Sequence, residues 1–350
     1  MIYKNNIYTV LGVMSGTSLD GVDFALCTFE KNETWKFKIK KCNTINYNKT
    51  WRNTLQNLHK ENKETIAKVN IEYGKYLAGL INTFLDKDRV DFISSHGHTI
   101  FHAPNNNYTL QIGDGNIISQ KTQLTTINDF RSLDVSLGGQ GAPLVPIGDL
   151  HLFQDYKYCI NLGGFANISI KENNSITAFD ICPVNIVMNL LSKKLGKEYD
   201  ENGCFAKNGI LVPKLLEKLN ALAFYQQKPP KSLGREWVEN FINPIILTYK
   251  SEDVLNTLCE HIAMQISKHL TDKKVLFTGG GVYNKYLMNR IKHYSNAQII
   301  IPSKKIIDYK EALIFAFLGV LRSINKVNCL RSVTGATRDN CGGIIHNPLS

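Results

Sequence analysis

Ile7-Tyr8-Thr9-Val10-Leu11-Gly12-Val13-Met14-Ser15-Gly16-Thr17-Ser18-Leu19-Asp20-Gly21-Val22-Asp23-Phe24-Ala25-Leu26-Cys27-Thr28-Phe29 contains two apolar runs, 7–13 and 22–29, separated by a loop of small and polar residues. The runs read as strands and the loop between them as a tight hairpin. Glycines at 12, 16 and 21 let a backbone approach an anion, and Ser15, Thr17 and Ser18 add hydroxyl donors. Asp20 and Asp23 supply the oxygens that Mg²⁺ prefers while it bridges phosphates. The same composition also suits an ordinary Gly/Ser turn. There is no Gly-Lys-Ser/Thr, so the loop is not a Walker A sequence.

Working outward, the spacing predicts a helix over about 62–86 and strands at 90–94, 108–112 and 124–127. Each strand ends in polar residues: Ser95-His96-Gly97-His98-Thr99, Gly113-Asp114-Gly115 and Asp129-Phe130-Arg131. Strand ends are where an α/β sheet places its site. After the glycine-dense break 138–143, the opening pattern begins again. Tyr158–Leu162, Gly163-Gly164 and Phe165–Ile170 form a strand, glycine turn and strand, and Ile176–Phe179 runs into Asp180. This echo of residues 7–29 suggests two lobes of one design. Helical spacing at 186–195 and 252–270 follows, then a strand at 275–277, three glycines at 279–281 and a helix from 285, a pattern suited to an anion or nucleotide. A strand at 297–301, an alanine-rich helix over about 309–321 and a tail returning to the first lobe complete the chain.

At 350 residues and 43% hydrophobic content, two domains of about 150 residues each are expected. No run approaches the roughly 20 apolar residues that cross a bilayer, and a cytoplasmic protein without membrane partners is expected. The eight cysteines include no Cys-x-x-Cys pair, which argues against zinc, redox and disulfide-scaffold readings. The net charge of +11 is dispersed. Clusters such as Lys38–Lys41 read as solvated faces rather than a nucleic-acid surface, and the charge suits an anionic substrate.

His96, His98 and His102 have spacing that could hold a metal, provided carboxylates or further histidines join them. Hydrogen bonding to a polyhydroxylated ligand, or a purely structural role, are the other readings of His96. Asp180 is a candidate base for phosphoryl transfer, with Asp114, Asp129 and Asp134 as rivals that could instead cap helices. Arg131 and Arg235 are the candidate cations beside a ligand.

Taken together, the chain resembles the anhydro-N-acetylmuramic acid kinase family along nearly its whole length. The resemblance rests on Met14–Gly21, Ser95-His96-Gly97, Leu110–Asp114, Asp129-Phe130-Arg131 through Asp134-Val135 and Gly138–Pro146. It continues through Asn161–Gly164, Gly234-Arg235-Glu236, Thr278–Gly281 and Cys341-Gly342-Gly343.

The resemblance implies a two-lobed actin-like (ribonuclease H-like) α/β sugar-kinase fold with ATP in the inter-lobe cleft. It implies a first lobe over 1–135, a second over 136–332 and a tail, 333–350, packing back on the first. The implied reaction opens 1,6-anhydro-N-acetylmuramic acid with water and phosphorylates O6 from ATP with Mg²⁺, giving N-acetylmuramic acid 6-phosphate for cell-wall sugar recycling. Asp180 would be the general base. Gly16, Thr17, Ser18, Leu19, Asp20, Gly21, Val22 and Asp23 would hold phosphates, with Asp20 toward Mg²⁺. Gly163 and Gly164 would approach the phosphates from the second lobe, Gly279, Gly280 and Gly281 would sit near the ribose and base, and His96, Thr99, Arg131 and Asp134 would hold the sugar. The family suggests a homodimer.

Two departures stand out. The family's Thr-Gly-Pro-Gly-Asn after the aspartate is Ile181-Cys182-Pro183-Val184-Asn185 here, and His98 replaces the usual glutamine. The first raises the alternative of a sensor that binds sugar or nucleotide without turnover.

Overall fold

The computed structural model describes residues 6–16, 19–173 and 175–349. Thr17 and Ser18 of the expected phosphate loop therefore lie outside the described residues. By internal contacts the chain forms two compact units, Met1–Leu152 with Tyr309–Ser350, and Phe153–Asp308. These edges differ from the expected 135/136 and 332/333.

The first unit opens with an antiparallel meander of β1 (Ile7–Ser15), β2 (Gly21–Lys31) and β3 (Trp35–Asn46). The helix Lys63–Leu85 then carries the chain over the sheet, so that β4 (Phe92–Ala103) returns parallel to β1. β5 (Tyr108–Ile112) pairs antiparallel with β4, and β6 (Thr126–Asn128) lies parallel on its other edge. The helix buries Tyr73, Leu77, Ile81 and Phe84 against Leu11, Val13, Phe24 and Leu26 of the sheet. Its apolar spacing of three and four residues makes one face sticky, and Asn62 caps its first turn by accepting from Thr65 N.

The second unit repeats the plan. β7 (Tyr158–Leu162), β8 (Phe165–Glu172) and β9 (Ser175–Pro183) form a meander, followed by β10 (Lys274–Thr278) parallel to β7 and β11 (Gln298–Ile300) parallel to β10. Ile160, Leu162 and Phe277 of this sheet share a core with Val187, Leu255, Leu258 and Ile262 from the helices Asn185–Lys194 and Ser251–Ser267. The chain re-enters the first unit along the helix Lys304–Ser323, which departs from helical geometry at Tyr309 (φ −120°, ψ 15°). It ends with β12 (Ile344–His346), antiparallel to β6.

The sheet orders are β12-β6-β4-β1-β2-β3, with β5 on the side of β4, and β11-β10-β7-β8-β9. Without β12 and β5, both read fifth, fourth, first, second, third, and only the second strand runs against the others. The echo between 7–29 and 158–170 is thus the first hairpin of each sheet.

Three boundaries differ from expectation. β3 and the helix Lys49–Asn57 occupy a stretch given no element, β4 runs on through the histidines to Ala103, and β9 continues past Asp180 to Pro183. Asp180 is therefore an interior strand residue, opposite Asn167 of β8, not a strand end.

Candidate active site

In the first unit, the hairpin between β1 and β2 closes with Leu19 N donating to Gly16 O at 3.4 Å, and Leu19 is itself left-handed (φ 59°). Asp20 is exposed at the end of this connection, while Gly21, Val22 and Asp23 already belong to β2. Asp23 accepts from Thr44 Oγ1 of β3 at 2.6 Å.

The histidines of β4 separate at Gly97, whose left-handed backbone (φ 72°) brings its Cα so near Ile112 O that a Cβ would lie 2.5 Å away. His96 turns its ring onto Phe315, with centroids 4.6 Å apart, and its Nε2 receives Arg131 Nε at 3.2 Å and Nη2 at 3.0 Å. A guanidinium only donates, so Nε2 is the acceptor and the proton sits on Nδ1, 3.0 Å from Gly97 O. Burial, then the Arg131 charge, holds this imidazole well below its ordinary pKa. Arg131 also donates to Gly141 O at 2.6 Å, and burial lowers its pKa to about 10, so it stays cationic at neutral pH.

His98 Nδ1 instead meets Ser15 Oγ at 2.8 Å, and His102 Nδ1 meets Thr109 Oγ1 at 3.1 Å. The three imidazoles thus engage three different partners, and among the described residues no group of three His, Cys, Asp or Glu is arranged to hold a metal ion. Thr99 is half-buried opposite Gln111 of β5.

Asp134 has a different surrounding from the one expected of a sugar contact. It is 0% exposed. Its Oδ1 accepts from Cys329 Sγ (3.0 Å), Thr334 Oγ1 (2.9 Å) and Asn340 Nδ2 (2.8 Å), and its Oδ2 from Gly141 N (2.8 Å). It ties the chain's end to the loop that also holds Arg131. Asp114 caps the helix Gly115–Thr122 through Ile117 N, and Asp129 accepts from Ser132 N.

One residue that sequence reasoning passed over belongs with these groups. Glu311, in the helix that re-enters the first unit, keeps an exposed surface yet sits among dense protein. Burial and the nearby Asp23 raise its carboxyl pKa, against the pull of Arg131 and Lys310. A lone carboxylate heading the apolar run Ala312–Leu318 is the signal that could have found it.

In the second unit, the turn Gly163-Gly164, the turn Gly279–Gly281 and Asn185 come together where β7 and β10 end side by side. Asn161 is paired with Thr278 in register, and Asn185 Nδ2 donates to Leu162 O at 3.2 Å. Gly279 has φ 82° and ψ 161°, which only glycine adopts readily, and a Cβ there would lie 2.5 Å from Asn161 Oδ1. Asp180 is half-buried on β9. Its Oδ2 accepts from Leu233 N at 2.8 Å, while Oδ1 has no partner among the described residues. Burial raises its pKa, and the Leu233 bond opposes that only in part.

The departure after Asp180 has a structural answer. None of residues 181–185 has positive φ. Val184 N and Ile186 N donate to Gly164 O at 2.8 and 3.2 Å, so this chain closes the segment onto the glycine turn without glycines of its own. Arg235 is exposed in an ion pair with Glu239 at 2.7 Å, not buried beside a ligand.

Two units of one ribonuclease H-like strand order, the first opening on a glycine hairpin and the second gathering two glycine turns where β7 and β10 end, define the actin-like class of α/β fold. The family of anhydro-N-acetylmuramic acid kinases matches residues 8–348, and this chain belongs to it. The anhydro-N-acetylmuramic acid kinase of Actinobacillus pleuropneumoniae serotype 3 is 35% identical over 371 residues, covering 97% of this chain and 99% of the relative. That of Francisella tularensis subsp. novicida is 33% identical, covering 93% and 95%. Among solved structures, the activator of 2-hydroxyisocaproyl-CoA dehydratase from Clostridium difficile with bound ADPNP is far more distant, with a TM-score of 0.46 and 14% identity over 91% of this chain and 96% of that one.

Proposed function

We propose that this protein is a kinase that opens 1,6-anhydro-N-acetylmuramic acid with water and transfers the γ-phosphoryl group of ATP to O6, releasing N-acetylmuramic acid 6-phosphate and ADP. Family membership over residues 8–348 supports the substrate and reaction class, and it weighs against a non-catalytic sensor. The observation that carries the mechanism is Asp180: one oxygen anchored by Leu233 N–H, the other free, and the pKa raised by burial.

A general base works best with a pKa drawn toward the operating pH. Asp180 Oδ1 takes a proton from water as the water oxygen bonds to C1. The C1 bond to the bridging oxygen breaks, and that oxygen, still on C6, bonds to the γ-phosphorus as ADP departs. The hairpin Gly16–Asp23 and the turn Gly163-Gly164 take the phosphates, and Gly279–Gly281 take the ribose and base. His96, Arg131 and Thr99 line the sugar side, while Asp134 ties residues 329, 334 and 340 to the loop at Gly141.

The oxygen donors of the first unit fit Mg²⁺. Asp20 is an exposed carboxylate without a side-chain partner among the described residues, and Asp23 and Glu311 stand close enough to influence each other's charge. Mg²⁺ takes one or two carboxylates plus waters and phosphate oxygens, and when bound it neutralises charge on the transferring group.

The test is incubation with ATP, Mg²⁺ and the anhydro sugar in ¹⁸O-labelled water, with mass spectrometry of the product. One ¹⁸O at C1 and phosphate on O6 are expected. ADP without a sugar phosphate would overturn the reading.

A further inference from the structure

We propose that Lys231 is the positioning residue for Asp180: it pins the stretch 228–233 in place so that the Leu233 amide grips one carboxylate oxygen and leaves the other for the attacking water. The inference rests on the reading of Asp180 as general base and deepens it by naming what holds that base.

β9 is the last strand in its sheet order, so Asp180 has β8 on one side and no strand on the other. Its outward N–H needs a partner from elsewhere in the chain. The stretch 228–233 supplies one. Asp180 N donates to Lys231 O at 3.0 Å, and two residues further on Leu233 N donates to Asp180 Oδ2 at 2.8 Å. The backbone and the side chain of one residue are thus held by one short length of chain. That stretch belongs to no helix or strand, and Pro229 and Pro230 have no N–H with which to tie it down. Apart from the two bonds to Asp180, its hydrogen bonding among the described residues comes to one contact, Lys231 Nζ donating to Phe224 O at 3.2 Å. The same ammonium lies 4.6 Å from the centre of the Phe224 ring and 5.9 Å from that of Phe179, the residue before Asp180 on β9. A cation over an aromatic face is attracted to it. Phe224 is itself buried, with the rings of Trp237 and Tyr225 centred 5.4 and 5.7 Å away. One side chain therefore closes the clamp on Asp180 against a fixed aromatic platform.

The titratable groups around this carboxylate come from several elements. β8 places the uncharged Asn167 opposite it, and β9 itself adds Cys182. Tyr225 follows Phe224, and Lys268 and His269 follow the helix Ser251–Ser267, with His269 edge-on to Phe179 at 5.0 Å. Burial pushes the Cys182 thiol and the Tyr225 hydroxyl up, so both keep their protons. Burial, then the charges of Lys231 and Lys268, brings His269 down to about 4. The Leu233 bond favours the ionised form of Asp180 against the burial that opposes it. Loosening the stretch weakens that bond, which raises the carboxyl pKa further and lets the carboxylate turn away from the water.

The test follows kcat against pH in the full chain, with sugar phosphate as the product measured. Lys231→Met should lower kcat about tenfold, leave the KM for ATP in place and move the acid limb up by about one pH unit, as expected when a carboxylate loses an N–H donor. Lys231→Arg keeps a donor and a cation for the two rings and should recover most of both effects. Leucic acid in place of Leu233, introduced by nonsense suppression in cell-free synthesis, removes the amide proton alone and should move the limb the same way. With that ester present, Lys231→Met should move the limb little further, because both changes break one contact. A lysine that only stabilises the fold would lower the melting temperature and leave the limb in place. One acting by its charge would add its shift to that of the ester. Either result overturns the proposal, as does an ester protein with the wild-type limb, which is also what a limb belonging to His269 would give. Should Lys231→Met fail to fold, Lys231→Gln takes its place in the same comparisons. A wild-type protein that makes no sugar phosphate overturns the kinase reading, and an Asp180→Asn enzyme with ordinary turnover overturns the base. A working kinase that needs Asp180 but whose limb ignores Lys231 overturns this proposal alone.

Discussion

Asp180, in the catalytic role proposed for it, is a residue whose burial works against stability. Its folded pKa is raised by burial, so the folded state holds that proton more tightly than the unfolded chain does. Ionising it therefore costs stability as pH rises from the ordinary carboxylate range through the raised value. Asp180→Asn should lower turnover by roughly 10²–10⁴-fold, the usual worth of a general base, while ATP still binds by calorimetry. The same variant should melt at a higher temperature than wild type at neutral pH, and the gap should narrow on acidification. In the wild-type enzyme the acid limb of the kcat profile should fall above the ordinary carboxylate range. His96 and His98 add no limb near pH 6.5, because burial keeps both neutral there. Asp134 is the opposite case. Asp134→Ala removes a carboxylate that satisfies four buried donors, and a loss of about 3 kcal/mol or more is expected in urea titration. Nothing near Asp134 in sequence announces this role, since three of its donors come from residues 329, 334 and 340.

At the scale of elements, legibility depended on how local the cause was. The helix Lys63–Leu85 and strands β5 and β7 were readable because their apolar period is written in consecutive residues. β3 was not, although Trp35, Phe37 and Ile39 alternate with lysines 36, 38 and 40. The lysines form a solvated face, as expected, but reading them as a charge cluster hid the strand that carries them. The two glycine turns of the second unit could be found by sequence. Their meeting could not, because it depends on β7 and β10 pairing in parallel across more than a hundred residues. The segment after Asp180 gives a prediction at this scale. Cys182 and Val184 are buried and need no positive φ, so restoring the family's glycines gains no conformational freedom that the fold uses. Val184→Gly should cost about 2–4 kcal/mol through lost burial and added chain entropy. Cys182→Gly should also destabilise, and the doubly substituted enzyme should not exceed wild-type turnover in the sugar-phosphate assay.

For the whole molecule, the division of the chain sets an order of assembly. The second unit is one continuous stretch, Phe153–Asp308, with its own sheet and core, whereas the first is completed only by Tyr309–Ser350. That returning segment supplies Leu313, Ile314, Phe315, Phe317 and Leu318, all essentially buried. It also supplies Lys310, whose ammonium lies 2.7 Å from Asp149 in a buried ion pair, and Ala312, which packs so closely on Gly12 that no side chain fits between them. Five such apolar side chains contribute on the order of 10 kcal/mol by burial. This is comparable to the roughly 5–15 kcal/mol that holds a typical domain together. A fragment of residues 153–308 should therefore unfold cooperatively in urea with native-like circular dichroism, while one of residues 1–152 should show no cooperative transition. Adding a peptide of residues 309–350 should restore a transition to the latter. Cooperative unfolding of 1–152 alone would mean that the meander and its helix suffice, and that the returning segment adds to a unit already formed.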